Sequence, residues 1–467
     1  MNIMLHIGLG SFHRAHQAVY LHRLRETGDH SWAIVGGNIR ADMAETVAAL
    51  IAQDGRYTLE TVTPDGVRAY ETITSIERVI PFAPDLADLI DVGADADTRI
   101  VSFTVTEAGY YLDAGDRLDL SAQDLAADLD AARAQGARRP GSTIYGVLTA
   151  ILRARMRSGA GPVTLLNCDN LRHNGDRSRS GLMQFIQAAG DDMLARWVDA
   201  HTCSPNGMVD RITPRPAPEV AERVKAATGW DDRAPLMAES FIQWVIEDRF
   251  AAGRPAWEQV GVEMVDSVQP YEEAKIRILN ATHSCIAWAG TLRGMRYIHE
   301  GTHDPVIRSF AHAYVTDDVI PCLHRPGHPS PIDLVTYRDV VLDRFGNPAI
   351  RDTNQRVAMD GFSKIPGFIR PTLTERLSRG EPIDSTAMLP ALFLFFLQRW
   401  HRGQLAYTYQ DQAMDPAVAH ALCDAGDPVA AFCADGMLWG PIAGDVRLVD
   451  AVRRASDRVS RFVHEPS

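Results

Sequence analysis

From the N-terminus to about residue 268, short apolar runs alternate with longer stretches in which apolar residues recur every three or four positions. Runs at 3–7, 32–35, 57–62, 99–105 and 163–167 predict strands, and the stretches 14–25, 42–52, 120–133 and 142–156 predict helices. Strands that alternate with helices imply a mainly parallel sheet covered on both faces. Beyond about 270 the chain reads almost entirely as helix and loop. The apolar run 388–397 (MLPALFLFFL) is too short to span a bilayer and predicts a buried helix, while proline and glycine at 324–332 predict an exposed loop. Two domains are expected, an α/β domain over 1–268 and a mainly α-helical one over 269–467.

One predicted helix carries three polar groups within an apolar run. Pro270 is placed to start PYEEAKIRILNATHSCIAWAG, Ile276, Ile278, Leu279, Ile286 and Ala287 bury it, and Gly290 is placed to end it. At 100° per residue Asn280 lies roughly 140°, and His283 roughly 80°, around from Lys275, so the three share one broad face. An unpartnered polar group among apolar neighbours costs about 1–3 kcal/mol. Two readings of the spacing stand: a solvated lysine beside core polar groups satisfied within the protein, or a base, an amide and an imidazole facing a hydroxylated substrate.

Composition narrows the partners. A chain of 467 residues that is 46% hydrophobic and 23% charged is that of a soluble globular protein. Its net charge of -13 argues against nucleic acid and anionic membrane as partners, since phosphate backbones need clustered Lys and Arg. The opening MNIMLHIGLG has neither a basic segment nor a small-residue cleavage site, so it does not read as a signal peptide, and no stretch approaches the roughly 18 apolar residues of a membrane span. Cysteines 168, 203, 285, 322, 423 and 433 are scattered with no C-x-x-C pair, which predicts reduced thiols in a cytoplasmic protein.

The first predicted strand runs into Gly8-Leu-Gly10-Ser-Phe12-His13 and then a helix. Two glycines at a strand-to-helix turn permit a tight bend and close approach of the backbone to a pyrophosphate, whose charge the helix N-terminus favours. This makes the first domain a dinucleotide-binding, Rossmann-type candidate, with Gly8, Gly10, Phe12 and His13 on the cofactor side; a glycine turn without a ligand is the alternative. His13 stands where the usual motif has its third glycine. After the second strand, at Gly36-Gly37-Asn38-Ile39-Arg40-Ala41-Asp42, an acid would read the ribose hydroxyls and a basic residue a 2′-phosphate. Asp42 is taken as the reader and NAD as the cofactor, the alternative being that Asp42 caps the following helix. His13, His16 and His22 raise the question of zinc, but no carboxylate or thiol supplies further ligands at a recognisable spacing, so no metal is expected. His13 is expected near the cofactor phosphates and His16 in a structural role.

The strings GLGSFHRAH, TVTEAGYY (104–111), LLNCDNLRHNG (165–175), MVDRITP (208–214), PYEEAKIRILNATHS (270–284) and DGFSKIP (360–366) resemble the polyol-specific long-chain dehydrogenases, the mannitol dehydrogenase family. The likeness runs from residue 3 to beyond 390. It implies metal-independent, NAD-linked oxidation of a secondary alcohol of a free polyol to a ketose, with D-arabinitol and D-xylulose as the implied pair. It also implies a general base at Lys275, oxyanion-stabilising amides at Asn170 and Asn280, and substrate-hydroxyl contacts from Asp210, His283, Arg356 and Lys364. The family motif itself lacks the third glycine, so His13 fits it. Arg40-Ala41-Asp42 departs from the Glu-x-Asp type of some relatives, which bears on the choice between NAD and NADP.

An ordinary lysine, with a pKa of about 10.4, must be shifted to act as a base near neutrality, and burial beside a cationic nicotinamide has that effect. Glu272, one turn before Lys275, is either a proton relay to water or a plain helix-start carboxylate. Two amides at a developing alkoxide would each contribute roughly 3 kcal/mol. Arg356 and Lys364, on either side of Gly361, suit polyol hydroxyls or a phosphate. The competing readings are therefore oxidation of mannitol to fructose, a mannitol 1-phosphate dehydrogenase, and an NAD-binding sensor without catalysis. No oligomerisation seam is visible, so a monomer is expected.

Overall fold

The computed structural model describes residues 1–113, 115–134 and 141–464. The chain divides into two compact units, Met1–Val62 with Arg68–Gln269, and residues 63–67 with everything from Pro270 onward.

In the first unit the strands are β1 (Asn2–Ile7), β2 (Trp32–Gly37), β3 (Tyr57–Val62), β4 (Arg68–Ile73), β5 (Ile76–Ile80), β6 (Thr98–Phe103), β7 (Val163–Asn167), β8 (Thr202–Cys203), β9 (Gly207–Asp210), β10 (Leu236–Glu239), β11 (Gln243–Glu247) and β12 (Glu263–Val265). Six of them form an all-parallel sheet in the order β5-β2-β1-β6-β7-β8. Because side chains alternate across a strand, the central strands feed two cores. Met4, Ile34, Ile100 and Leu166 pack on one face with helix Gln17–Glu26, while Leu5, Val35, Val101 and Leu165 pack on the other with helix Ile144–Ser158. Each such fully buried Leu or Ile is worth about 1.5–3 kcal/mol. The Ile144–Ser158 helix is delimited by its own sequence. The Thr143 side chain accepts from Gly146 N at its start, and Gly159, at φ 70°, ends it.

The order reverses between β1 and β6, and a ligand of a doubly wound sheet binds beyond the carboxyl ends of the strands at that reversal. Gly8 follows β1 and Thr104 follows β6, so both stand at this point. The expected strand over 57–62 forms, but outside the main sheet. It pairs antiparallel with β4 and parallel with β10, and a second small sheet joins β12, β11 and β9. Among them β4 carries little apolar periodicity and buries only Ile73 fully. The expected helix over 14–25 is broken at His16, whose φ of -128° and ψ of -85° separate Ser11–Ala15 from Gln17–Glu26.

The second unit is helical. Helix Met388–His401 is buried at Met388 through Leu394 and at Phe396 and Leu397, and Phe393 packs on Trp288 with ring centroids 4.8 Å apart. The single helix expected over 270–290 is a composite: α over Gln269–Ala274, π over Lys275–Asn280 and α again over Ala281–Leu292. The wider π turn means that the 100° spacing does not hold between Lys275 and Asn280. Nor does Gly290 end the helix, which runs through Leu292. A Cβ at Gly290 would lie 2.7 Å from Asn354 Nδ2, so this glycine serves the close approach of helix Asn354–Ala358. Among the described residues no helix is long and apolar enough to cross a membrane.

Candidate active site

At the end of β1 the chain turns through Gly8, whose φ of 109° suits glycine. Gly10 then precedes the short helix Ser11–Ala15, and a Cβ placed there meets nothing within 4 Å. The backbone is thus open to a bulky group at this turn. Phe12 stacks on His16 with centroids 5.0 Å apart, and His13 lies flat on His6 at 3.4 Å. Burial pushes His6 down to about 3 and holds His13 well below the usual imidazole range, so both are neutral at physiological pH.

The proton positions follow from the partners. The Gln243 carbonyl accepts from His16 Nε2 (2.8 Å), so His16 Nδ1 accepts from Gln17 Nε2 (3.0 Å), and Gln17 Oε1 accepts from His13 Nδ1 (3.3 Å). That leaves His13 Nε2 as a buried lone pair with no partner among the described residues. Such an acceptor suits a hydroxyl or an N–H, not a phosphate oxygen, which also only accepts. The expectation that His13 meets phosphates is revised accordingly.

Asn38 Oδ1 accepts from Leu9 N at 2.8 Å, while its buried Nδ2 has no partner among the described residues. Sequence reasoning named this segment without singling out Asn38. Asp42 is exposed in the short turn Ala41–Met43, and the helix Ala44–Ala52 that follows has no side-chain cap, so Asp42 is not spent as a helix cap. Arg40 Nε reaches the Ser142 carbonyl at 3.4 Å. The open Gly10 turn and two orphaned buried polar atoms fit a dinucleotide.

The three histidines raised as metal ligands do not converge: His13 rests on His6, His16 bonds Gln243, and His22 turns to Thr74. Among the described residues, His22, Glu26 and Glu71 form one cluster with ligand atoms within 4.8 Å of one another. Thr74 N donates to His22 Nδ1 at 3.3 Å, which leaves the ring proton on Nε2, facing both carboxylates at 3.6 Å. In that tautomer Nε2 offers no lone pair to a metal.

Asn170 stands exposed just beyond β7, and Asp210 is buried at the end of β9, opposite Gln243. In the second unit Glu272 and Lys275 are both buried, at 5% and 9% exposure, so neither is the solvated helix-start charge that spacing alone allowed. Asn280 and His283 are half-buried on the next turns. His283 stacks on Phe345 at 4.2 Å, and its Nε2 lies 3.2 Å from Asp352 Oδ2. Arg356 grips the same carboxylate through Nε (2.7 Å) and Nη2 (2.5 Å). Burial would raise the Asp352 carboxyl, yet the His283 ring and the Arg356 guanidinium hold it far below the usual carboxylate range. Burial also lowers His283, which keeps the imidazole neutral near pH 7.

Lys364 is brought to the same group. Burial pushes it down to about 8, and its Nζ donates to the Val357 carbonyl at 2.5 Å. Asp352 is the residue that sequence reasoning missed. Its only signal was the i,i+4 spacing to Arg356.

Residues 2–259 match the mannitol dehydrogenase Rossmann domain family, and residues 267–460 match the mannitol dehydrogenase C-terminal domain family. D-arabinitol 4-dehydrogenase of Ralstonia nicotianae is 62% identical over 462 residues, which cover 98% of this chain and 97% of that protein. D-arabinitol 4-dehydrogenase of Klebsiella pneumoniae is 56% identical over 449 residues, 96% of each chain. The solved structure of Pseudomonas fluorescens mannitol 2-dehydrogenase, a ternary complex with NAD and D-mannitol, is 33% identical with a TM-score of 0.81, covering 99% of this chain and 93% of that one. A parallel Rossmann sheet followed by a helical unit, matched in both parts and in order, shows that the chain belongs to the mannitol dehydrogenase family.

Proposed function

We propose that this chain is an NAD-dependent polyol dehydrogenase that oxidises a secondary alcohol of D-arabinitol to give D-xylulose. The observation that carries the reading is 62% identity to a D-arabinitol 4-dehydrogenase along almost the whole of both chains. Bound NAD supplies the hydride acceptor, with Gly8, Gly10, Phe12, His13 and Asp42 on its side. The buried amine of Lys275 takes the hydroxyl proton, and the carboxamides of Asn170 and Asn280 donate to the oxygen as negative charge develops on it. Burial of the lysine supports its role as a base because desolvation disfavours the ammonium form. Glu272, one turn away and equally buried, passes the proton onward to water.

His283, Arg356, Lys364 and Asp210 hold the remaining hydroxyls. An amine base with two amides meets the needs of the reaction without a metal. A free polyol is favoured over a phosphorylated one because the Arg356 charge is already matched by Asp352. A hexitol is the second reading, since the related ternary complex holds D-mannitol. The enzyme is proposed to act as a cytoplasmic monomer on small molecules, with neither nucleic acid nor membrane as partner; its six free cysteines suit a reducing compartment.

Purified protein assayed with pentitols, hexitols and mannitol 1-phosphate, each with NAD and NADP, should reduce NAD fastest with D-arabinitol and keep its rate after prolonged chelation. Preference for the phosphate ester, or a rate lost to chelation and restored by zinc, overturns the reading. The Lys275→Ala variant should lose turnover while binding NADH as wild type does.

A further inference from the structure

Asn170 follows a carboxylate that is bound at both of its oxygens. Asp169 Oδ1 accepts from Leu171 N at 3.1 Å, which closes an Asx turn with Asn170 at its centre. The other oxygen, Oδ2, accepts from the Tyr110 hydroxyl, and Asn167 Nδ2 donates to that same hydroxyl at 2.5 Å. Tyr110, Asn167 and Asp169 are all buried, whereas Asn170 is exposed at the tip they carry. The far side of the segment is fixed as well. Asn174 Nδ2 donates to the Asp169 carbonyl (3.3 Å) and the Gly207 carbonyl (2.9 Å), while Asn174 Oδ1 accepts from Gly207 N (2.9 Å). A Cβ on Gly175 would lie 2.4 Å from the Pro205 carbonyl oxygen, so backbone meets backbone there.

We propose that Tyr110 and Asp169 are positioning residues that act through Asn170: the buried phenol anchors the carboxylate, and the carboxylate sets the turn that aims the carboxamide. The proposal rests on the reading of Asn170 as an alkoxide-stabilising amide. The geometry gives it a specific form. Removing the Tyr110 hydroxyl takes one anchor from Oδ2 without touching substrate, so the turn loosens while the fold and the cofactor side stay as they were. The Asn167 and Asn174 side chains also reach the Asp169 carboxyl, whose pKa burial pushes up to about 6, but neither makes the phenol's bond to Oδ2.

The test is a double-mutant cycle on D-arabinitol oxidation with Tyr110→Phe and Asn170→Ala. Tyr110→Phe alone should lower kcat about tenfold, as misplacement of a reacting group does, with the NADH dissociation constant within twofold of wild type. In the Asn170→Ala background the same substitution should cost nothing more. An equal loss in both backgrounds, or no loss in either, overturns the proposal. A wild-type kcat for Asn170→Ala would instead remove the role assigned to Asn170, and with it the ground for a clamp. Asp169→Asn, run through the same cycle, covers the case in which Tyr110→Phe does not fold. If both variants lose their fold, the pair is structural and the proposal falls.

Discussion

Asp352 lies between two side chains that the reaction is proposed to use. It pairs with the His283 ring on one side and the Arg356 fork on the other, and its carboxyl is held far down as a result. In Asp352→Asn the amide keeps the volume but not the charge, so Arg356 is left uncompensated and the imidazole loses its orienting partner. The KM for D-arabinitol should rise about tenfold, the NADH dissociation constant should hold within twofold, and steady-state kinetics would show the split.

The same carboxylate has a signature in stability. Its folded pKa lies below the unfolded value of about 3.9, so its contribution is present above pH 4 and lost as pH falls below that value. Acid unfolding followed by circular dichroism should therefore be steeper below pH 4 in wild type than in Asp352→Asn. Lys275, Asn280 and His283 could be picked out in the sequence because polar groups in an apolar run are conspicuous. Asp352 could not, since it sits in a polar loop and acquires its role only from a helix some seventy positions away.

At the level of elements, the long central strands of the main sheet were legible because each carries a short apolar stretch that is buried on both faces. Of the strands in the two small sheets only β3, over 57–62, was legible, and the π turn over Lys275–Asn280 was not. A π turn leaves no mark in apolar spacing when the flanking segments, Tyr271–Ala274 and Ala281–Leu292, are themselves largely buried. Gly290 misled for a related reason: it reads as a terminator, yet its missing side chain makes room for Asn354, whose Nδ2 also donates to the Met295 carbonyl at 3.0 Å. Gly290→Ala sets two effects against each other. Helix propensity favours alanine by about 1 kcal/mol, but overpacking against a pinned Asn354 costs about 1–3 kcal/mol. The clash should win, and a thermal melt of the variant should show a lower midpoint than wild type.

Over the whole molecule, the division into a parallel α/β part and a helical part followed from the change of periodicity near residue 270, and the structure shows both architectures. The charge of -13 is a property of the total chain and says nothing about either part. All six cysteines are unpaired, and Cys168, Cys285, Cys322 and Cys433 are buried with their thiols held protonated, those of Cys285 and Cys433 pushed up to about 12 by burial. Electrophiles attack the ionised sulfur, which is scarce here. A chromogenic sulfhydryl reagent should thus count no more than two groups in the native enzyme, Cys203 and Cys423, and all six once denaturant is added. Air and mild peroxide should leave it working, an unusual tolerance for a chain that carries so many oxidisable side chains and no crosslink.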